Sequence, residues 1–177
     1  MGTLRNRGAD GSGFVPVVLP RTIRHRRLVV ADQHRVSEKT AETMARYRLL
    51  EDDIVCTRTG DLGRYGRVGA VQEGWLLGPG CMRIRHKPGP RLFDAGYLTQ
   101  YLSGPEAATW LERNATGSVI KNISTGLLSR MPVVLPPLPE QRRIGEALAA
   151  LDSEMELYGR FGAAVAAVRD RYVERLM

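Results

Sequence analysis

The stretch that decides the fold reads LPPLPEQRRIGEALAALDSEMELYG and covers residues 135–159. Prolines fix φ and bias the residues before them towards extended backbone, so Pro136–Pro139 predict a stiff hinge between two parts of the chain. After Pro139 the chain has no proline and is rich in Ala, Leu, Arg and Glu, the strongest helix formers. We therefore predict a globular domain over residues 14–135, a proline hinge over 136–139 and a long helix over 140–177.

The predicted helix carries an apolar seam whose members are spaced alternately four and three apart, as in a coiled coil. Its residues are Ile144, Leu148, Leu151, Met155 and Tyr158, and the pattern continues at Phe161, Val165, Val168, Tyr172 and Leu176. The step from Tyr158 to Phe161 repeats a three where a four is due, beside Gly159 and Gly162. Two outcomes stay open at this point: a kink or break, or one helix of about 57 Å.

Such a helix needs a partner for its apolar side. Folding back on its own domain is the alternative, but roughly 130 preceding residues cannot cover a seam this long. The seam therefore predicts that another protein surface covers this side of the helix.

The domain before the hinge is expected to be mixed. Residues 1–13 combine arginine, glycine and polar residues without periodicity and predict a flexible arm. Short apolar runs separated by glycines predict a strand-rich core, and a last strand is expected at 133–135. Phe14–Leu19 is expected at a sheet edge because Pro16 interrupts it. Helices are predicted at 37–49, 95–102, 105–113 and around 127–128. The expected fold class is α+β, a strand-rich globule followed by a long coiled-coil-type helix.

The charge balance permits a nucleic-acid partner without requiring one. The chain has 26 Lys and Arg against 19 Asp and Glu, a net charge of +7. The basic residues are nearly all arginine, whose planar fork suits phosphates and guanine edges. An arginine-biased composition would give the same balance, so charge alone does not decide.

Motifs for catalysis are missing, so we expect no enzyme activity and no cofactor. No phosphate-binding loop, dinucleotide-binding fingerprint, nucleophile elbow or metalloprotease motif occurs, and the three histidines lack metal-ligand spacing. Cys56 and Cys81 are expected to be small buried thiols. No apolar run approaches the ~20 residues that span a bilayer, and no signal peptide is seen. We expect a cytoplasmic protein.

Two glycine-containing segments are candidates for contact with DNA. Loop A, residues 57–67, follows a buried strand and offers Arg58, Thr59, Arg64, Tyr65 and Arg67 for phosphates or base edges. Loop B, residues 117–123, offers Ser118, Lys121 and Asn122, and an asparagine amide can pair with adenine through two hydrogen bonds. An ordinary hairpin with solvated arginines, and a plain turn, explain these segments equally well.

The order of these segments resembles the target-recognition half of type I restriction-modification specificity subunits. The resemblance is carried by DIVCTRTGDLG at 53–63, by GSVIKNI at 117–123, by LPPLPEQRRI at 135–144, and by Leu148, Leu151 and Asp152 of an L-x-x-L-D pattern. It covers roughly Ala45 to the C-terminus, and residues 1–43 match nothing recognisable. Family members usually contain two recognition domains and two helices, whereas this sequence contains one of each.

The resemblance implies a DNA target-recognition domain over residues 14–135 and a helix that packs against a second such helix. It also implies double-stranded DNA and a separate adenine-N6 methyltransferase subunit as partners, with or without a nuclease. A single half would act as a homodimer on a two-fold symmetric, split target. The alternative function is a recognition-domain fold that has become a protein-interaction module or inhibitor and no longer reads DNA.

Overall fold

The computed structural model describes residues 14–29, 34–117 and 120–175. The predicted N-terminal arm, residues 1–13, lies outside the described residues. The strands are β1 Phe14–Val18, β2 Ile23–Arg24, β3 Arg27–Leu28, β4 Arg35–Ser37, β5 Ile54–Thr57, β6 Tyr65–Arg67, β7 Leu76–Leu77 and β8 Cys81–Ile84. The helices are α1 Glu38–Thr43, α2 Ala95–Leu102, α3 Pro105–Asn114, α4 Thr125–Leu128 and α5 Leu138–Glu174. This is the expected α+β class.

The strands form two sheets. One has three strands in the order β4-β1-β7, and the other has five in the order β2-β3-β6-β5-β8. β5 lies between β6 and β8, antiparallel to both, and all four of its residues are buried. A strand covered on both faces is expected to be apolar throughout, as IVC is.

Alternation along β5 divides the core in two. Ile54 and Cys56 face α2 and α3 and pack with Leu98 and Leu111. Val55 faces the other way and packs with Trp75. Both cysteines are buried free thiols, as expected, and burial raises the pKa of each to about 12.

Some predicted strands are wrong. β1 is the middle strand of its sheet, not an edge, because β4 pairs with its first three residues and β7 with its last two. Pro16 pairs with β4 and not with β7, so its lack of an amide hydrogen removes no hydrogen bond between β1 and β7. Residues 133–135 belong to no strand.

The C-terminal helix is one uninterrupted element of 37 residues, about 55 Å long. It begins at Leu138, so the second half of the Pro136–Pro139 segment already forms its first turn. It continues through Gly159 and Gly162 without a break. No helix among the described residues is long and apolar enough to cross a membrane.

The start of α5 is bonded to the globule and packed against it. The side chain of Gln141 is buried and accepts from Asp94 N at 2.8 Å while donating to Pro136 O at 2.7 Å. Gly145 lies against α2, where an added Cβ would come within 2.7 Å of Tyr97 N. Only glycine permits this approach.

Candidate nucleic-acid interface

Loop A and Loop B meet at one surface. Thr59 and Asn122 are bridge partners, and Gly60 N donates to Lys121 O at 2.9 Å. Next to this bridge, Ile123 N donates to Arg58 O at 3.0 Å. The two segments predicted as separate candidates therefore form one continuous candidate surface.

Loop A is a compact turn between β5 and β6. Gly60 and Gly63 both have positive φ, +79° and +85°, which glycine adopts without strain. Thr57 is buried, and its hydroxyl donates to Asp61 O at 2.8 Å. The turn is thus held from inside, and its polar side chains are left on the outer surface.

Loop B is a tighter turn closed by a pair of backbone bonds. Thr116 and Asn122 donate to each other's carbonyl oxygens at 3.0 and 2.7 Å. Gly117 has a φ of +100°, and an added Cβ would lie 2.1 Å from Ile120 O. Ser118 lies outside the described residues, so its place in this turn stays a prediction.

The basic side chains of this surface differ in how they are bound. Arg58 and Lys121 are exposed, and neither makes a side-chain hydrogen bond or ion pair with any described residue. Arg64 is exposed but held by Asp61, whose carboxylate accepts from Arg64 Nε at 2.7 Å. An unpaired cation is available to a phosphate. Arg64 can contact a phosphate only if it also keeps, or first gives up, its bond to Asp61.

A third segment borders the same site. Arg58 N donates to Gly80 O at 2.8 Å in the turn between β7 and β8. This neighbour was not predicted from the sequence, where the only signal was one glycine among many.

Tyr65 and Arg67 are the two predicted contacts of Loop A that lie in β6. Tyr65 pairs with Cys56 across β5 and β6 and is 3% exposed, so its ring is part of the core. Burial raises the pKa of its hydroxyl. Arg67 is the last residue of β6, opposite Ile54 at the start of β5, and pairs with Asp52, with Nη2 at 2.8 Å from the carboxylate. The burial of Tyr65 contradicts its predicted contact with DNA, whereas the predicted contact of Arg67 stays a prediction.

The apolar seam of α5 points away from the globule. Leu151, Met155 and Tyr158 are 54%, 69% and 72% exposed. Ile144 is half-buried. The other described seam residues are exposed too, and these are Leu148, Phe161, Val165, Val168 and Tyr172. Leu176 lies outside the described residues. The seam is therefore uncovered along its described length.

Contacts between the globule and the helix use a different face of α5. Arg26, in the turn between β2 and β3, bonds to Asp152 with both Nε and Nη2. Gln100 of α2 donates to the same carboxylate at 2.6 Å. From the sequence, Asp152 is predicted only as part of the L-x-x-L-D pattern, and nothing in residues 24–27, RHRR, marks Arg26 as its partner.

Comparison with known proteins identifies one family. Residues 9–160 match the model described as "Type I restriction modification DNA specificity domain". The match begins before Ala45, so the similarity also includes most of residues 1–43, which the sequence motifs do not cover. The search of curated proteins found no match.

Solved structures share the fold. The HsdS subunit from Thermoanaerobacter tengcongensis superimposes with a TM-score of 0.64 at 17% identity, over 86% of this chain and 39% of that chain. A chain from a study of assembly and conformational transition of the type I R-M system superimposes with a TM-score of 0.66 at 18% identity, over 91% of this chain and 41% of that chain. For the S subunit from M. genitalium the TM-score is 0.49 at 19% identity, over 62% of this chain and 28% of that chain. The chain thus spans at most 41% of the length of these structures.

Proposed function

Because the chain belongs to the family of type I restriction modification DNA specificity domains, we propose that it reads a specific DNA sequence through Loop A and Loop B. The contacts are Arg58, Thr59, Arg64, Lys121 and Asn122, with Ser118 and Arg67 as further candidates. Tyr65 has no part in this proposal.

The observation that carries the proposal is the bridge between Thr59 and Asn122. It places two free cations, Arg58 and Lys121, beside an asparagine whose side-chain amide makes no hydrogen bond to described residues. Phosphate contacts set position and affinity, and base-edge contacts set sequence. One small surface thus offers both kinds of group.

In this proposal, a separate adenine-N6 methyltransferase subunit catalyses the methylation of DNA, and this chain directs that subunit to its target. Such an enzyme flips the target adenine out of the duplex and must be delivered to the right site. The exposed side of α5 offers the surface for a second protein. We place a second copy of this chain on the apolar seam, which gives a two-fold arrangement and two recognition surfaces.

Salt-dependent binding to duplex DNA tests the recognition role. We compare the wild-type chain with an Arg58→Gln/Lys121→Gln variant. Each lost phosphate contact lowers the slope of log K against log salt by about 0.9, so the variant should show a slope smaller by about 2 and weaker binding to every duplex.

Lys39→Gln/Lys87→Gln is the matched control. It removes the same charge from two exposed lysines outside both loops, so its slope should stay close to that of the wild type. If the wild-type chain binds no duplex at low salt, or if the two variants behave alike, the proposed surface is wrong. The chain would then fit the alternative of a protein-interaction module that does not read DNA.

A further inference from the structure

The contact between the globule and α5 changes character along the helix. At its start the helix is packed closely, through the buried Gln141 and through Gly145 against α2. On its next face, between Arg142 and Glu156, α5 borders a cleft of about 690 Å³ that the β2–β3 hairpin and α2 also line. On its α5 side the cleft is lined mainly by polar side chains, with Gly145 and Ala149 as the small residues among them, so apolar packing does not hold this part of the helix.

Polar side chains span the cleft instead. The Asp152 carboxylate accepts from Arg26 Nε at 2.7 Å and from Gln100 Nε2 at 2.6 Å, and its side chain is only 12% exposed. Arg27 adds a bond from Nη2 to Ser153 Oγ at 2.6 Å and lies 3.7 Å from the Glu156 carboxylate. Three elements, the hairpin, α2 and α5, therefore meet at one carboxylate.

The hairpin turn that presents Arg26 is a strained one. His25 and Arg26 have positive φ, +49° and +60°, at positions where hairpins favour Asn and Gly. Backbone of this kind persists only where its surroundings hold it in place. Here the turn is tied to β6, since Arg67 N donates to Arg26 O at 3.2 Å.

We propose that Arg26, Gln100 and Asp152 form an angle-setting clamp, three positioning residues that fix the direction in which α5 leaves the globule. Without them the helix keeps its attachment at Gln141 and Gly145 and can pivot there. Its consequence for DNA, the spacing between two half-sites read by a dimer, rests on the proposed function.

A small tilt has a large effect because the free arm is long. From Gly145 to Glu174 the helix extends about 43 Å. A tilt of ~10° moves its far end by about 7 Å, which is roughly two base-pair steps of 3.4 Å. A clamp at Asp152 therefore matters far more for the position of the helix end than for the local contact.

The distance between two spin labels within one chain tests the clamp directly. Labels are placed at introduced cysteines replacing Glu112 on α3 and Ala163 on α5, both exposed. The native Cys56 and Cys81 are buried and stay unlabelled. Labelled chains are diluted with unlabelled ones, so that only intrachain distances are measured.

The wild-type chain should give one narrow distance distribution. Asp152→Ala should broaden or shift this distribution, and so should Arg26→Ala. Because each variant removes the Arg26–Asp152 contact from a different partner, the test still stands if one of them does not fold. The charge swap Arg26→Asp/Asp152→Arg should narrow it again. Glu146→Ala, an exposed carboxylate of the same helix without a described ion pair, is the control and should leave the distribution unchanged.

A broad wild-type distribution, or one that Asp152→Ala and Arg26→Ala leave narrow and in place, overturns the clamp. The measurement uses no DNA, so its result does not depend on the proposed function. A second measurement does: on duplexes carrying two selected half-sites at varied separation, Asp152→Ala should widen the range of separations that are bound, with binding to one half-site unchanged. If one separation is still preferred as sharply as by the wild type, the clamp does not set the spacing.

Discussion

Thr59 and Asn122 are bridge partners although they come from loops far apart in the chain. Thr59 follows the central strand β5, and Asn122 follows the turn after α3. Because of this bridge, the asparagine amide lies beside the free cations Arg58 and Lys121. Two kinds of group therefore lie side by side: the Asn122 amide is suited to read a base, and Arg58 and Lys121 are suited to hold phosphates.

Asn122→Ala is expected to relax sequence preference at one base pair. A bidentate contact to a base is worth about 1–3 kcal/mol of discrimination, so the gap between a selected site and its single-base variants should shrink by that amount at one position. Competition binding against a panel of single-base variants measures this. Lys121→Gln should instead weaken binding to all duplexes alike. An Asn122→Ala chain that loses affinity uniformly would show that the amide does not read a base.

The two loops were predictable one at a time, but their contact was not. Glycines and polar residues after apolar runs mark turns by local chemistry. The bonds from Gly60 N to Lys121 O and from Ile123 N to Arg58 O join distant segments, which no local pattern encodes. The fold class and the long helix followed from composition and periodicity, which act within a few turns.

Tyr65 shows where the sequence prediction of the site failed. It stands next to Arg64, so the sequence prediction places both side chains on one surface. In a strand, neighbouring residues point to opposite faces, and the face of Tyr65 is the one that packs with Cys56 against the helices. The limits of β6 could not be read from a run as short as YGR, so the face of each residue was undetermined.

Asp53→Ala is expected to lower the free energy of unfolding by about 2–4 kcal/mol, because it leaves Arg85 without its partner. Asp53 is 1% exposed, and its carboxylate accepts from Arg85 Nε at 2.6 Å and from Leu50 N at 2.9 Å. Urea denaturation measures the change. Asp61→Ala, which removes an exposed ion pair, should cost less than about 1 kcal/mol. Equal losses in the two variants would contradict the structural role of Asp53.

The stabilisation from Asp152 should depend on pH. Burial acts to raise the pKa of Asp152, but hydrogen bonds from Arg26 and Gln100 outweigh it and hold the pKa below its ordinary value. A carboxyl with a lowered folded pKa stabilises the fold above its unfolded pKa of about 3.9, and that stabilisation is lost as pH falls through the folded value. The stability difference between wild type and Asp152→Asn should therefore be full at neutral pH and shrink below about pH 4. Urea denaturation across this range checks it, and a constant difference would show that ionisation of Asp152 does not matter.

Leu151→Glu and Tyr158→Glu are each expected to convert the proposed homodimer into a monomer. Both residues lie on the apolar seam and are more than half exposed in the single chain. Placing a carboxylate there would bury one unpaired charge per chain in the dimer, which costs more than the lost apolar contact alone. Light scattering after size-exclusion chromatography measures the mass of each variant. Ala163→Glu is the control, since Ala163 is exposed but lies off the seam, and it should remain dimeric. A wild-type chain that is monomeric at high concentration, or seam variants that stay dimeric, would show that a second copy does not cover this face of α5.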